Sequence, residues 1–121
     1  MKNKEKELQI LEVSINKALE LMDAMRTIDD TLDALTYGIF LYVCLNEGTS
    51  NDNIITKFVG VHKARISRGI HILCKTSRGR IKQDGDGLLF QKISPEDFRM
   101  RSLFLTDKGR SVMNKISKLL K

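Results

Sequence analysis

The side chains with the clearest chemical character form a run of cations in the middle of the chain. Between Asp52 and Asp84 there is no acidic residue. The same interval contains eight basic residues, which are Lys57, Lys63, Arg65, Arg68, Lys75, Arg78, Arg80 and Lys82. Basic side chains at this density are typical of a surface that binds an anionic partner, with nucleic acid as the leading candidate. A solvated face is the alternative, and the elements that carry the charges decide between the two interpretations.

Groups that could carry out catalysis are scarce. His62 and His71 are the two histidines, and both lie in the basic interval. Cys74 follows His71 by three residues, but no further residue nearby would activate the thiol. No Cys or His spacing matches a metal site, and the glycines do not form a phosphate-binding loop. We therefore expect a protein that is not an enzyme and that uses no cofactor or metal.

Length and composition fit one compact domain. The chain has 121 residues, of which 41% are hydrophobic and 30% charged, with a formal net charge of +6. The charge is uneven, because residues 1–35 contain five basic and eight acidic side chains, a net −3, which leaves +9 for the remainder. This distribution places the expected anion-binding surface beyond the first 35 residues.

The sequence lacks the signals of a membrane or exported protein. The apolar run over 39–45 is far shorter than the roughly 20 residues that span a bilayer, and the N-terminus lacks the apolar core of a signal peptide. A cytoplasmic location is therefore expected. Cys44 and Cys74 lie within apolar helical patterns, and we interpret them as buried thiols, with a redox-sensing role as the alternative.

The first third of the chain predicts a long amphipathic helix. Apolar residues recur there at steps of three and four, at Leu8, Leu11, Ile15, Ala18, Met22 and Met25. A helix of this length needs another surface to lie against. Dimerisation supplies one, and packing on the helix's own domain is the alternative.

The segment that follows predicts a helix-turn-helix unit. Residues 34–45 are apolar nearly all round and predict a buried central helix that ends with Gly48 as its cap. A second, short helix runs through Ile54 and Phe58 to Gly60. A third helix, over 62–75, follows after a turn of about three residues. In such a unit the last helix, the recognition helix, is the one offered to the DNA major groove.

Helical periodicity predicts which side of the recognition helix is exposed. Ile66, Ile70 and Leu73 share one line, which we take as inward. The opposite face and its flanks then carry Ala64, Arg65, Ser67, Arg68, His71 and Lys75. Arginine can form two hydrogen bonds with guanine, and serine can bond to bases or phosphate. This face is therefore suited to reading a duplex.

The last third predicts a β-hairpin and one helix. Strands over 88–93 and 101–105 flank a polar turn that contains Pro95, and Thr106 can cap a final amphipathic helix. The predicted fold class is mainly α with a small β-hairpin, the wing (α+β): a winged helix-turn-helix with a long N-terminal dimerisation helix. We expect a single domain over 1–121, with the dimerisation helix in 1–33, the DNA-binding core and wing in 34–105 and the C-terminal helix in 106–121.

Two segments resemble winged helix-turn-helix regulators of the MarR type. The stretch from Ser94 to Gly109 is similar to the family pattern S-P-x-D-x-R, a strand, then L-T-x-x-G, and residues 59–73 are similar to the family's recognition region. The resemblance implies that Arg99 enters the minor groove while Asp97 orients basic side chains of the wing. It also implies a homodimer built from N- and C-terminal helices. Many such regulators release DNA when a small molecule binds, although no motif here identifies an effector.

These observations predict a sequence-specific regulator of transcription that binds double-stranded DNA, a homodimeric repressor on an inverted repeat. The expected DNA contacts are Lys63, Arg65, Ser67, Arg68, His71, Lys75, Arg99 and Arg101. The expected dimer contacts are Leu8, Leu11, Ile15, Met22, Ile116 and Leu119. The main alternative is a winged-helix module that binds protein, an antirepressor or an assembly adaptor, without specific DNA binding. RNA is less favoured because the seven Phe and Tyr residues offer little for base stacking.

Overall fold

The computed structural model describes residues 2–28, 32–74, 87–93, 95–96 and 100–120. Within these residues five helices and one β-hairpin follow one another along the chain. The elements are α1 (Lys2–Ile28), α2 (Ala34–Leu45), α3 (Asn51–Lys57), α4 (Lys63–Cys74), β1 (Leu89–Ile93), β2 (Arg101–Leu105) and α5 (Asp107–Leu120). The predicted fold class, mainly α with a small β-hairpin wing, is confirmed.

Helix α2 is the centre of the core, as its sequence, apolar nearly all round, predicts. Ile39, Phe40 and Val43 are completely buried, and each buried apolar side chain of this size contributes about 1.5–3 kcal/mol. The residue that caps the start of the helix is Asp33, whose carboxylate accepts a hydrogen bond from the Thr36 amide at 2.8 Å. Its end differs from the expectation, because Asn46 is the cap and Gly48 lies two residues beyond it with φ +92°. Gly48 thus serves the turn into α3 rather than the helix end.

The short helix α3 starts at its cap Ser50, which accepts a hydrogen bond from the Asn53 amide at 3.1 Å. It stops at Lys57, earlier than the predicted end at Gly60, because Phe58 already leaves the helical conformation. Gly60 itself has φ +87°, a value that favours glycine, and so marks the turn into α4. The turn of the helix-turn-helix is therefore longer than the sequence predicts.

Helix α4 lies directly against α2. A Cβ atom on Gly69 would be 3.0 Å from Ile39 Cδ1 and 3.4 Å from Thr36 Oγ1, so the absence of a side chain allows this close approach. The inward residues Ile66, Ile70 and Leu73 are buried, as predicted. These contacts fix the orientation of α4 and therefore which of its residues face outward.

The wing is a two-stranded antiparallel sheet in which Leu89 pairs with Leu105 and Ile93 with Arg101. It is attached to the helices at both strands. The Leu88 amide donates to the Leu73 carbonyl at the end of α4, and the Leu103 amide donates to the Thr49 carbonyl in the α2–α3 turn. The hairpin is thus held at a fixed position beside the recognition helix.

Thr106 caps the C-terminal helix α5, as predicted. The Thr106 hydroxyl accepts a hydrogen bond from the Gly109 amide at 3.0 Å and donates one to the Gly87 carbonyl at 2.7 Å. Val112 and Ile116 turn inward and join the core. Cap and apolar stripe together fix α5 next to the wing.

Most of helix α1 extends away from the core. Its last turns are attached through Met25, which is buried and whose carbonyl accepts a hydrogen bond from the Tyr37 hydroxyl. Further along, Lys17 Nζ donates to the Leu120 carbonyl at the end of α5, at 3.3 Å. Upstream of this contact, α1 has apolar side chains exposed on more than one side, among them Ile10 and Val13.

Candidate nucleic-acid interface

The recognition helix α4 presents a polar, basic face. Its predicted DNA-contact residues in the described part of the chain are all exposed, namely Lys63, Arg65, Ser67, Arg68 and His71. Ala64 lies among them and is exposed as well. The structure thus brings these residues to one surface, because the buried line of Ile66, Ile70 and Leu73 holds the opposite side of the helix. Lys75 lies outside the described residues.

The N-terminal end of α4 adds to the positive potential of this face. Its first turn contains no acidic residue. The His62 carbonyl accepts the Arg65 and Ile66 amides, which closes the first turn by backbone contacts. The N-terminal end of a helix carries a partial positive charge. The basic side chains and the helix dipole therefore both make the electrostatic potential at this end of α4 more positive.

One acidic residue reaches this basic face from another element, and the sequence reasoning missed it. Asp33 Oδ2 lies 3.8 Å from Arg65 Nη2, with both side chains more than half exposed. The hydroxyl and the backbone amide of Thr36 both donate to Asp33 Oδ1, and these bonds, with a smaller contribution from Arg65, hold the pKa of the Asp33 carboxyl below its usual value of 3.8. Position 33 is recognisable from the sequence as a helix cap, but its distance from Arg65 depends on the packing of α2 against α4.

The wing contributes two described cations. Arg101 is exposed at the start of β2, and its guanidinium lies 3.4 Å from Gln91 Oε1 across the hairpin. Lys92, which the sequence reasoning did not select, lies over the stacked rings of Phe90 and Phe104, with Nζ 4.8 Å from the Phe104 centroid. Strand alternation places it on the outer face of the hairpin. Asp97 and Arg99, which the resemblance marks, lie outside the described residues, as do Arg78, Arg80 and Lys82 of the basic interval.

The predicted dimer residues divide into two groups. Leu8, Leu11, Ile15 and Met22 are each more than half exposed along α1. Ile116 is only 6% exposed because it packs into the core of its own chain, and Leu119 is half-buried. The structure therefore leaves the α1 stripe available to a partner, whereas Ile116 has an intrachain role.

An apolar cavity lies where α1 meets α2. Its volume is about 280 Å³. It is lined by Leu21, Met22, Met25, Arg26, Leu32, Ala34, Tyr37, Gly38 and Leu41. The cavity thus adjoins the exposed α1 stripe at Met22, and its lining is almost entirely hydrophobic.

The two cysteines differ in burial. Cys74 is 2% exposed, which confirms its prediction, whereas Cys44 is only half-buried. Burial raises the pKa of the Cys74 thiol to about 12 and, with a contribution from the Glu47 carboxylate, that of Cys44 to about 11. Among the described residues, no group of three or more His, Cys, Asp or Glu side chains could hold a metal ion.

Comparison with solved structures identifies the architecture. The crystal structure of MarR aligns with a TM-score of 0.62 at 19% identity, over 91% of this chain and 72% of its own. A mutant of MepR from S. aureus, bound to an oligodeoxyribonucleotide, aligns with a TM-score of 0.67 at 13% identity, over 91% and 72%. The repressor CouR, bound to a 23-mer DNA duplex, aligns with a TM-score of 0.61 at 22% identity, over 92% and 69%. No family model matches the chain, and no curated protein does either.

The fold is therefore that of the MarR-type winged helix-turn-helix proteins, as the motifs in 94–109 and 59–73 predict. The likeness extends over about nine-tenths of the chain and so includes α1 as well as the helix-turn-helix and wing. None of the helices in the described ranges is long and apolar enough to cross a membrane.

Proposed function

We propose that this protein is a sequence-specific, double-stranded-DNA-binding regulator of transcription, acting as a homodimeric repressor on an inverted repeat. The observation that carries the proposal is the recognition helix, whose exposed side is basic and free of acidic residues along its whole length. Structural neighbours with the same fold, MepR and CouR, are bound to DNA in their solved structures, which supports the proposal. A regulator of this kind acts in the cytoplasm and has no catalytic role.

In this proposal the side chains of α4 divide into two groups. Arg65, Ser67 and Arg68 read base edges in the major groove, where an arginine can bond to both O6 and N7 of guanine. Lys63, His71 and Lys75 contact phosphate or base, which positions the helix on the duplex. A recognition helix that carries no acidic side chain of its own suits both tasks.

The wing contacts the neighbouring minor groove or its phosphates. Arg101 supplies one positive charge at the first position of β2, opposite Ile93. Arg99 enters the groove and Asp97 orients basic side chains of the wing, roles that the resemblance implies. The negative potential of a narrow minor groove favours an inserted arginine.

The α1 stripe of Leu8, Leu11, Ile15 and Met22 is the proposed dimer contact, with Leu119 at its margin and Ile116 as the core residue that supports α5. A helix with this many exposed apolar side chains is stabilised when a second copy covers them. A two-fold dimer presents two recognition helices, and half-sites about one helical turn apart fit such an arrangement. Over 1–121 the chain then works as one domain, with 1–33 for dimerisation, 34–105 for DNA and 106–121 joining the two.

A small-molecule effector is the further partner in this proposal, and we assign it to the cavity between α1 and α2. The lining is apolar and can bury an uncharged ring of moderate size. Because the cavity contacts both the dimerisation helix and α2, a ligand there would bias their relative orientation.

The experiment that tests the proposal is selection of bound duplexes from a random pool at moderate salt, which suppresses contacts to phosphate alone. An enriched inverted repeat establishes a dimeric, sequence-specific regulator. Folded protein that enriches no duplex overturns the proposal and favours the winged-helix module that binds protein.

The role of Arg68 gives a residue-level test on the selected duplex. Arg68→Ala is expected to weaken specific binding by about 1–3 kcal/mol and to relax the sequence preference at one position. Lys115→Ala, on the exposed side of α5, removes the same charge outside the proposed interface and serves as the control. An equal loss on selected and random duplexes would reduce Arg68 to a phosphate contact.

A further inference from the structure

We propose that Asp33 is a positioning residue that sets the sequence specificity of Arg65, an inference that rests on the proposed DNA-binding function. The carboxylate at the start of α2 lies 3.8 Å from the guanidinium, on the flank of the recognition helix. Asp33 thereby makes Arg65 a reader of bases rather than a general phosphate contact.

The geometry of the two helices produces this contact. Gly69 lies against Thr36 and Ile39 in the first turns of α2. Arg65 is one helical turn before Gly69 and so shares its side of α4. The same close packing that needs a glycine at 69 therefore brings Arg65 next to the residue that caps α2.

Asp33 is itself held firmly. Its Oδ1 atom accepts hydrogen bonds from the Thr36 amide at 2.8 Å and from the Thr36 hydroxyl at 2.6 Å, and Thr36 is only 4% exposed. This leaves Oδ2 directed to Arg65. A fixed carboxylate restricts the orientations of the arginine, which lowers the ordering cost when the arginine binds a base.

The charge of Asp33 also explains why specificity, more than affinity, depends on it. An exposed ion pair contributes little to stability in water, and this one has both side chains more than half exposed. When a duplex covers the face, water is excluded and the interaction becomes stronger. On a sequence that offers Arg65 no partner, the carboxylate instead faces phosphates and opposes binding.

The test compares affinities for the selected duplex and for random duplexes in Asp33→Asn. Asparagine is an equally good helix cap, so the start of α2 is retained while the charge is removed. We expect the ratio of specific to random affinity to fall about fivefold or more, because random binding gains and specific binding does not. Asp52→Asn, an exposed acid in the first turn of α3, gives the same change of net charge and is expected to leave the ratio unchanged.

A second background connects the effect to Arg65. The double variant Arg65→Ala with Asp33→Asn is expected to have the same ratio of specific to random affinity as Arg65→Ala alone. Arg65→Lys keeps the charge but loses the planar guanidinium, so it is expected to lower the ratio of specific to random affinity. This variant tests the role of Arg65 without any change at Asp33.

An unchanged ratio in Asp33→Asn, or the same fall with Arg65 already removed, overturns the inference while the proposed function stands. Wild-type protein that enriches no duplex overturns both.

Discussion

Two glycines show how strongly the effect of one methyl group depends on its neighbours. A Cβ on Gly109, in the first turn of α5, would lie 2.0 Å from the Leu88 carbonyl oxygen, a backbone atom that cannot move aside. A Cβ on Gly38, within α2, would meet the Phe58 ring at 3.5 Å, an ordinary contact. Gly109→Ala is therefore expected to destabilise the protein by about 3 kcal/mol through overpacking.

The matched variant Gly38→Ala is expected to stabilise by about 0.5–1 kcal/mol, since alanine loses less entropy in a helix. Urea unfolding of both variants measures the two effects. Equal stability changes in the two would contradict this account.

The thiols give a second test at the residue scale. Burial raises the pKa of Cys44 from 9.0 to about 11, so at pH 8 its thiolate fraction is roughly a hundredfold below that of a free cysteine. Cys74, with a pKa of about 12, carries still less thiolate. Alkylation by iodoacetamide at pH 8 is expected to be slow in the folded protein and normal in urea. Rapid alkylation of Cys44 in the folded state would instead support the redox-sensing role.

At the scale of elements, the sequence predicts the exposed face of a helix most reliably where the other face must cover the core. The helical spacing of Ile66, Ile70 and Leu73 correctly predicts the outward face of α4. Because these three residues are buried, the residues on the opposite side of the helix must be exposed. Helix ends are less well predicted. Asn46 is the cap of α2 in place of Gly48, whose amide instead donates to the Leu103 carbonyl in the wing. That bond joins distant parts of the chain and has no local sequence signal.

The predicted cap of α5, Thr106, can be tested directly by substitution. Thr106→Ala removes a hydroxyl that both accepts from the Gly109 amide and donates to the Gly87 carbonyl in a buried position. The loss of the cap and of a partner for buried groups is expected to cost about 2 kcal/mol or more.

Thr106→Ser keeps the hydroxyl and is expected to cost less than about 1 kcal/mol, the value of one buried methyl group. Chemical denaturation measures both variants. If serine were as damaging as alanine, packing of the methyl group rather than capping would hold this end of α5.

For the molecule as a whole, charge and hydrophobic surface are separated along the chain. The first 35 residues are net acidic and contain the exposed apolar stripe of α1, whereas the basic face belongs to the helix-turn-helix. Amphipathic periodicity predicts that stripe, since the pattern is local. It cannot separate residues that cover the chain's own core from those left for a partner, which is why Ile116 is expected at the dimer contact yet is buried within its own chain. The Asp33–Arg65 pair is missed for the same reason, because two helices must pack before it exists.

The assembly is tested by a charge placed on the α1 stripe. Ile15 is 58% exposed in the single chain, so Ile15→Glu is expected to leave the fold of one protomer intact, and glutamate remains a good helix former. In a dimer the same side chain would be buried, and an unpaired carboxylate there opposes association. Sedimentation is therefore expected to show a monomer. Binding to a duplex with two half-sites is expected to be weaker, because each molecule then holds only one half-site.

Leu45→Glu, at a position 82% exposed and outside α1, is the matched control and is expected to remain dimeric. A dimer that persists in Ile15→Glu would place the contact on another surface and return α1 to the alternative of packing within its own domain.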